Sequence, residues 1–487
     1  MEGEISQKTI PSSKMTKAPR EIVFLRASCV EPFFKNAQEF LRRDQFRVVY
    51  EWKTFDFKWP NGTAREDAIT AGNYIKENVI VSGIKPWGDR LYLTLPRMKA
   101  GVPATLVWIP ANPANATSPE LEPFPSWEAN MIGDCKSFQS VQSVEIDTNG
   151  TMWIIDNGRT STINPINSTA HTCPPTLTLI DLNSTKNSIV RYTFPESVAS
   201  NKSYLNDLVI DDTDAGYAYI TDNSGSDPGI IVFNRKDSRS WKIREGNSMR
   251  ASQNAKTFNL NGITMGLYIN VDGIAMGPRY QRPEGLVDRN VYFCPLASFK
   301  LYSMAASFMR NESMATLPPM LVSQYILDLG VKPSQSDGMI MDEEGFLFYG
   351  LLGNYSIAQW DSKTSFATDQ HIIARDINFI QWADRFGFDT EGNLFVVVNR
   401  LLNFVAGKVN ATEVNYRILK SHVGTRSYLY GPRQDSFKMP TPREAPGVSV
   451  NVGKSTVSHT KTNGAAGLAT SATLPLIAFL FSFMFRQ

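Results

Sequence analysis

Short apolar runs separated by turns rich in Asp, Asn and Gly recur along most of the chain. In SQSDGMIMDEEGFLFYG, residues 334–350, an Asp-Gly pair precedes an apolar run, an acidic turn with glycine follows, and a second apolar run ends in aromatic residues. The same order begins at Asp207 and at Asp272. Apolar runs of this length, bounded by turn residues, are typical of β-strands joined as hairpins. The pattern predicts a protein built from strands.

Six such units can be aligned on an apolar residue of the first run. These anchors lie 62, 64, 65, 65 and 48 residues apart, at Ile84, Ile146, Ile210, Ala275, Ile340 and Phe388. A repeat of this length that holds several strands is typical of a propeller blade, and six blades close one ring. We therefore predict an all-β, six-bladed β-propeller rather than an open sandwich. The segment FRVVYEWKTFDFKWP, residues 46–60, supplies a strand that would complete the last blade.

The predicted propeller covers residues 45–433, between two segments of different composition. Residues 1–44 form an N-terminal extension whose apolar stretch is broken by Arg26, so no clear signal peptide is indicated. Residues 434–487 form a tail in which small residues and a spacer precede the apolar run LPLIAFLFSFMF. This layout is typical of a GPI-anchor signal, with a tail-anchoring helix as the alternative. Membrane attachment through a C-terminal lipid anchor is therefore expected.

Charge and motif content exclude several classes of function. The net charge is +2, from 49 basic and 47 acidic residues, so no long-range field favours nucleic acid as a partner. The four cysteines are too widely spaced for a zinc site, and no two of the four histidines stand four residues apart. Neither a G-x-S-x-G nor a G-x-G-x-x-G motif occurs. No zinc, nucleotide or other cofactor is expected on these grounds.

Glycosylation sequons are more frequent than the composition alone would give. They predict glycans on exposed loops of a protein that enters the secretory pathway. The predicted sites are Asn61, Asn115, Asn167, Asn183, Asn201, Asn311 and Asn410. Two further sequons begin at Asn149 and Asn354.

Acidic residues recur at one register of the repeat. Asp207, Asp272 and Asp337 each lie three residues before an anchor, at intervals of 65 residues. The innermost strand of a blade begins at the mouth of the central channel and the second strand returns to it, so both ends face the same opening. The residues that end second strands are Asp156, Asp222 and Asn399. The sequence thus predicts a group of channel carboxylates around one mouth.

A ring of carboxylates repels itself unless a cation or hydrogen bonds neutralise it. One reading is a hard metal such as calcium, held by oxygen ligands. A second reading is a ligand that carries an ammonium group. The alternative without function is that the Asp-Gly pairs start turns and that Asp at strand ends caps backbone N–H groups.

Several longer motifs occur along the chain. KPWGDRLYLTLPRMKAGVPATLVWIP is followed by CKSFQSVQSVEIDTNGTMWIIDNGR, CPPTLTLIDL, VYFCPLASFKLYSM, PSQSDG and VVVNRLLNF. Together they resemble the family of insect yellow proteins and major royal jelly proteins, over roughly residues 45–430. The resemblance implies a secreted six-bladed propeller with a ligand pocket near the channel and a role in pigmentation and melanin formation. Relatives bind biogenic amines such as serotonin, dopamine and histamine, or convert dopachrome to dihydroxyindoles.

The resemblance also bears on the cysteines. Cys135 and Cys173 match the positions of a family disulfide, which would join the loop before residue 173 to the second blade. Cys294 matches another family cysteine, but Gln359 stands where its partner would be. Cys294 is therefore expected to be a buried thiol.

An aromatic amine needs an acid for its ammonium group, an aromatic face and polar groups for its ring hydroxyls. The residues predicted to bind such a ligand, or a related catechol derivative, are Asp337, Asp272, Asn354, Tyr349 and Phe348. Because neighbouring side chains of a strand point to opposite faces, at least one of the two aromatic residues is expected in the core.

Three alternatives remain open at the level of sequence. A carboxylate with a raised pKa would act as the base of a dopachrome-converting enzyme. Asp156, Asp207 and Asn399 would imitate the metal ligands of a calcium-dependent lactonase propeller. A structural or signalling protein would use its blade surfaces and have no working pocket.

Overall fold

Six four-stranded antiparallel sheets make up the body of the protein. The structure is a computed structural model that describes residues 46–112, 117–163, 172–184, 188–213, 216–283 and 285–431. The predicted extension 1–44, the tail 434–487 with its anchor signal, and the sequons at Asn115 and Asn167 lie outside the described residues.

Each sheet is one blade with four ranks of strand. The innermost strands are Gly83–Trp87, Val141–Ile146, Leu205–Asp211, Val271–Met276, Met339–Met341 and Ala383–Phe388. The second strands are Arg90–Thr94, Thr151–Asp156, Tyr217–Asp222, Asn290–Pro295, Phe346–Leu351 and Asn393–Val398. The third strands are Leu106–Pro110, Thr176–Asp181, Gly229–Asn234, Lys300–Ala305, Ser356–Asp361 and Tyr416–His422. The outer strands are Glu122–Pro123, Ile189–Thr193, Arg239–Ile243, Ile326–Val331, Gln370–Arg375 and Arg47–Trp52.

The blades close into a ring. Every innermost strand contacts the innermost strands of the blades before and after it, and blade six contacts blade one. The outer strand of blade six, Arg47–Trp52, comes from the start of the described chain and pairs with Tyr416–His422. The six-bladed propeller and the closing strand predicted from residues 46–60 are confirmed.

Few other elements interrupt the blades. The described α-helices are Gly62–Thr70, Ala306–Met309, Pro319–Val322 and Leu401–Val405. Short 3-10 turns span Lys76–Asn78, Glu128–Asn130, Gln253–Ala255, Glu312–Thr316, Ser323–Tyr325 and Leu352–Asn354. Two further hairpins pair Thr257–Leu260 with Ile263–Gly266 and Tyr280–Gln281 with Val287–Asp288. Of the helices in these described ranges, none has the length and apolar character needed to cross a membrane.

A shared turn sets the start of several second strands. The carboxylate of Asp342 accepts hydrogen bonds from the backbone N–H groups of Glu344 and Phe346, at 3.0 and 2.8 Å. Gly345 within this turn has a φ of 94°, which favours glycine. Asp147 and Asp389 make the same pair of bonds in blades two and six. These turns fix where the innermost strands of blades two, five and six end.

Candidate functional site

A cavity of about 450 Å³ opens at the end of the channel where the innermost strands begin. Each blade contributes one residue from the start of its innermost strand to the cavity wall. In blade order these are Ser82, Gln142, Asn206, Asp272, Asp337 and Asp384. We call them the floor ring. Its three carboxyl groups come from the adjacent blades four, five and six, and each of these residues is at most 6% exposed.

Glycine brings these three acids together. A Cβ atom on Gly273 would lie 2.2 Å from the backbone oxygen of Asp337, and one on Gly338 would lie 2.1 Å from that of Asp384. No side chain fits at such distances, so the glycine after each Asp lets the next innermost strand approach. The backbone N–H of Gly338 donates to the oxygen of Asp384 at 2.8 Å. The Asp-Gly pairs therefore pack blades against each other, and the interpretation that they only start turns does not hold for Asp272 and Asp337.

Beneath the floor ring lies a cation that belongs to the protein. Arg385 follows Asp384, is 4% exposed, and forms an ion pair with Asp207. Its Nη2 also donates to the backbone oxygen of Asn206 at 2.8 Å, and the Ser143 hydroxyl donates to Asp207 at 3.0 Å. The sequence analysis expected a cation or hydrogen bonds to neutralise the carboxylates. Arg385 supplies a positive charge from within the fold.

Burial governs the protonation of the three floor-ring acids. It raises the pKa of Asp337 to about 6, against the opposing effects of Arg385 and of a hydrogen bond from Trp382. Burial, followed by the charge of Asp337, raises the pKa values of Asp272 and Asp384 well above the ordinary value. Near neutral pH the floor therefore holds protons that a bound cation would displace.

Each floor-ring acid has a different set of hydrogen bonds. The indole N–H of Trp382 donates to Oδ2 of Asp337 at 2.6 Å. The side-chain amide of Asn399 donates to Oδ2 of Asp384 at 2.6 Å. Oδ1 of Asp272 is buried and has no hydrogen-bond partner among the described residues. That oxygen is therefore available to accept a hydrogen bond from a group that enters the cavity.

The walls above the floor are mostly aliphatic. They are lined by Ile80, Met98, Ile163, Leu267, Ile269, Leu296, Leu401 and Val405. Tyr204 adds an aromatic ring, and its hydroxyl lies 3.3 Å from Oε1 of Gln142. Below the floor the channel narrows to a space of about 10 Å³, flanked by the Lys85–Glu145 ion pair. The cavity is thus a blind pocket with an apolar wall and an acidic floor.

Several residues predicted from the sequence lie elsewhere. Phe348 packs against Phe388 between blades five and six, and Tyr349 is buried with its hydroxyl donating to Gln370 at 2.7 Å. Asn354 ends a 3-10 turn and does not line the cavity. Both faces of a second strand are covered by neighbouring blades, so both aromatic residues belong to the core. Of the five residues predicted to bind ligand, the cavity includes Asp272 and Asp337.

The predicted channel carboxylates divide by role. Asp156 accepts hydrogen bonds from the backbone N–H groups of Gln139, Ser140 and Gly158. Asp222 accepts from two backbone N–H groups and forms a buried ion pair with Lys242 at 2.8 Å. These two residues cap backbone and do not line the cavity. Asp207 lies one layer below the floor, because Asn206 takes the floor position in blade three.

Asp384 and Asn206 were not predicted from the sequence because blades six and three were each anchored one residue late, at Phe388 and Ile210. The segment DGMIMDEEG begins at Asp337, and the segment DRFGFDTEG begins at Asp384. In both segments the Asp of the turn described above lies five residues after the first Asp, and the Gly of the turn lies three residues after that second Asp. Alignment on that turn would have placed Asp384 beside Asp337. It would also have assigned Gln142 in QSVEIDTNG to the same position of blade two.

The structure also bears on the metal and cysteine interpretations. In the described ranges, no three or more His, Cys, Asp or Glu side chains are grouped so that they could hold a metal ion. Cys135 and Cys173 form a disulfide with Cα atoms 5.5 Å apart, as the resemblance implied. Cys294 is a buried free thiol, also as expected.

The chain is similar in sequence to known proteins. The sequence profile of the family described as "Major royal jelly protein" matches residues 139–427. "Protein yellow" of Drosophila erecta is 27% identical over 402 residues, which covers 79% of this chain and 71% of that protein. "Protein yellow" of Drosophila melanogaster has the same identity and coverage.

Among solved structures, a gluconolactonase from Xanthomonas campestris is 11% identical, with a TM-score of 0.41 over 79% of this chain and 92% of that chain. A luciferin-regenerating enzyme is also 11% identical, with a TM-score of 0.40 over 72% of this chain and 93% of that chain. The family profile covers more than half of the chain, and the yellow proteins match most of it. The chain belongs to the yellow and major royal jelly protein family.

Proposed function

We propose that this protein binds small aromatic amines or catechol derivatives in the blind pocket, with a role in pigmentation or a related extracellular process. The observation that carries the proposal is the set of three adjacent buried carboxyl groups at the floor of a cavity with many aliphatic side chains along its walls. A pocket with apolar walls and a few convergent polar groups is typical of small-ligand sites, and about 450 Å³ lies within their usual range.

The charges of the floor favour a ligand with a cationic end. Arg385 pairs with Asp207, so the positive charge already present is directed below the floor. The floor acids face the cavity, and Oδ1 of Asp272 lacks a donor. An ammonium group has three N–H donors and would pair with carboxylates that burial otherwise keeps protonated. The aliphatic walls and Tyr204 would enclose the ring of the amine.

A dopachrome-converting enzyme is the second candidate, favoured by one observation. The raised pKa of Asp337, about 6, is suited to a general base that works near neutral pH. Tautomerisation moves a proton from carbon to oxygen and needs no oxidant, so one carboxylate that accepts and returns the proton would suffice. Purified protein would then discharge dopachrome absorbance faster than buffer, and Asp337→Asn would remove the difference.

The location we propose is outside the cell. The Cys135–Cys173 disulfide supports it, because such bonds persist in oxidising compartments. The predicted glycan sites Asn61, Asn183, Asn201, Asn311 and Asn410 are all exposed, as glycosylation requires. Attachment of the tail to a membrane through a lipid anchor is part of the same proposal.

Asp337→Asn should weaken binding of dopamine and serotonin by about 1–3 kcal/mol, roughly 5- to 150-fold. The asparagine keeps the size of the side chain and can still accept the hydrogen bond from Trp382, but it removes the charge that pairs with the ammonium group. The full chain is produced in a secretory host and titrated with each amine in a calorimeter, with and without EDTA.

The matched control is Asp328→Asn, which removes an equal charge from the outer strand of blade four and should leave both affinities unchanged. Binding that disappears with EDTA would instead indicate the calcium-dependent reading. Absence of heat with either amine in the unmodified protein would contradict the proposal for these ligands and direct attention to the dopachrome assay.

A further inference from the structure

The mouth of the pocket has the opposite charge to its floor. Two cationic side chains, Arg159 and Lys202, line the upper part of the cavity, and all three lining carboxyl groups belong to the floor ring. Arg159 lies in the segment after the second strand of blade two, and Lys202 lies in the loop before the innermost strand of blade three. Within the described ranges neither side chain forms an ion pair with a carboxylate. The pocket therefore has an acidic pole and a basic pole.

Arg159 has a donor that the fold does not use. Its Nη2 donates to the backbone oxygen of Ser203 at 2.7 Å, which holds the guanidinium group in place. Its Nε is buried and has no partner among the described residues. A buried guanidinium N–H without an acceptor is costly in a folded protein. An anionic or strongly accepting group of a ligand would satisfy it.

Tyr204 lies beside the basic pole and lines the same cavity as the floor ring. The guanidinium carbon of Arg159 lies 5.9 Å from the centre of the Tyr204 ring. Burial raises the pKa of Tyr204 to about 12, and among the smaller contributions are the charge of Arg159 and those of Asp272 and Asp384. Tyr204 lines the same cavity as both poles, and in the described ranges no ion pair joins Arg159 or Lys202 to a floor-ring acid, so the two poles are not in contact. An amino acid carries both charged groups on one carbon atom, whereas a ligand that reaches both poles must carry them apart.

We infer that the natural ligand is an aromatic amine with an anionic group at the far end of its ring, such as an aryl-ethylamine sulfate or phosphate ester. This inference rests on the proposed function, since the floor ring takes the ammonium group. Arg159 and Lys202 take the anion, and Tyr204 lies beside the ring that separates the two charges. Sulfate, phosphate and carboxylate share the chemistry that Arg159 would recognise, because each presents oxygens to a planar guanidinium group.

Four probes separate the two poles by calorimetric titration of the full chain. Tyramine carries only the cationic group, and phenyl sulfate carries only the anionic group. Tyramine O-sulfate carries the two groups at opposite ends of the molecule, whereas L-tyrosine carries both at the same end. We expect tyramine O-sulfate to bind at least tenfold more tightly than any of the other three. Tyramine O-phosphate and 4-(2-aminoethyl)benzoic acid then distinguish which anion is preferred.

In the unmodified protein the affinity for tyramine O-sulfate should exceed that for tyramine at least tenfold. The variant Arg159→Gln should reduce this ratio to about one. Lys202→Gln, at an exposed position, should reduce the same ratio and provides a test if Arg159→Gln does not fold. The control Arg47→Gln removes an exposed charge from the outer strand of blade six and should leave the ratio unchanged.

Distinct results would overturn the inference. If tyramine binds and its sulfate ester binds no more tightly, the anionic pole has no role in recognition, while the proposed amine binding stands. If L-tyrosine binds as tightly as tyramine O-sulfate, the pocket prefers a ligand whose anionic group lies beside its amine, and the inference is contradicted. If phenyl sulfate binds as tightly as tyramine O-sulfate, or if no probe binds, both the proposed binding of an amine at the floor ring and this inference are contradicted.

Discussion

Replacing Arg97 by Met should lower the free energy of unfolding by about 3–5 kcal/mol. Arg97 is 1% exposed, and its guanidinium group donates to five backbone carbonyl oxygens and to no carboxylate. The acceptors belong to Val102, Pro103, Asn130, Phe138 and Gln139, at 2.5–2.8 Å. Burial lowers the pKa of Arg97 to about 9, so the side chain stays charged at neutral pH.

The loss is large because methionine fills similar space but leaves five buried carbonyl groups without a donor. Two of these groups lie in blade one and three lie just before the innermost strand of blade two, so the guanidinium group joins the two blades. Urea unfolding of the full chain measures the effect. Arg47→Met, at an exposed position, should change stability by less than about 0.5 kcal/mol. A loss below about 1 kcal/mol for Arg97→Met would contradict the role assigned to this residue.

Arg385→Gln should destabilise the protein by about 3–5 kcal/mol at pH 8 and by clearly less at pH 5. The change leaves Asp207 buried without its cation and removes a positive charge from beneath the floor ring. Arg385 lowers the pKa values of Asp272, Asp337 and Asp384 against the effect of burial. Without it, those pKa values should rise further.

The direction of the pH effect follows from proton binding. A carboxyl group with a higher pKa in the folded chain binds more protons when folded, so stability falls as pH rises from the unfolded to the folded pKa. For Asp337 this range runs from about pH 4 to about pH 6, and in the variant it extends upward. The deficit should therefore grow between pH 5 and pH 8. Arg385→Lys keeps the charge and should recover part of the loss, and a deficit independent of pH would contradict this electrostatic role.

The sequence was sufficient for the fold because strand length, turn residues and the repeat are local features. Hairpins with the Asp turn placed the blades, and the apolar segment near residue 46 identified the closing strand. A fixed spacing from the apolar anchors could not fix which residue faces the cavity. The pairing of the innermost strand with the second strand shifts register at the floor-ring position in blades two, three, four and six. In blade three both Asn206 and Asp207 fall within the shift. A shift of one residue turns a side chain to another face, so regular spacing selected Asp207 where Asn206 faces the cavity.

Other parts of the site left no repeating signal. Phe348 and Tyr349 resemble ligand-binding aromatics in sequence, but a blade is covered on both faces and buries both. Arg159, Lys202 and Tyr204 lie in segments between strands, whose positions depend on the packed ring. The role of Arg97 could not be predicted from the sequence either, because its acceptors are backbone carbonyl groups, which every residue has. Contacts between blades, which no local pattern encodes, determine each of these cases.

The pH dependence of serotonin binding is the most direct test of whether the floor-ring acids receive an amine. A protonated Asp337 cannot pair with an ammonium group, and its pKa in the empty pocket is about 6. Affinity should therefore rise by up to about tenfold per pH unit from pH 5 to pH 6 and then level off or rise more slowly. Calorimetry at pH 6 in two buffers with different ionisation heats should show release of about half a proton per serotonin bound, because Asp337 is about half protonated at that pH. Affinity that does not change with pH, with no proton released, would contradict binding of the ammonium group at the floor ring.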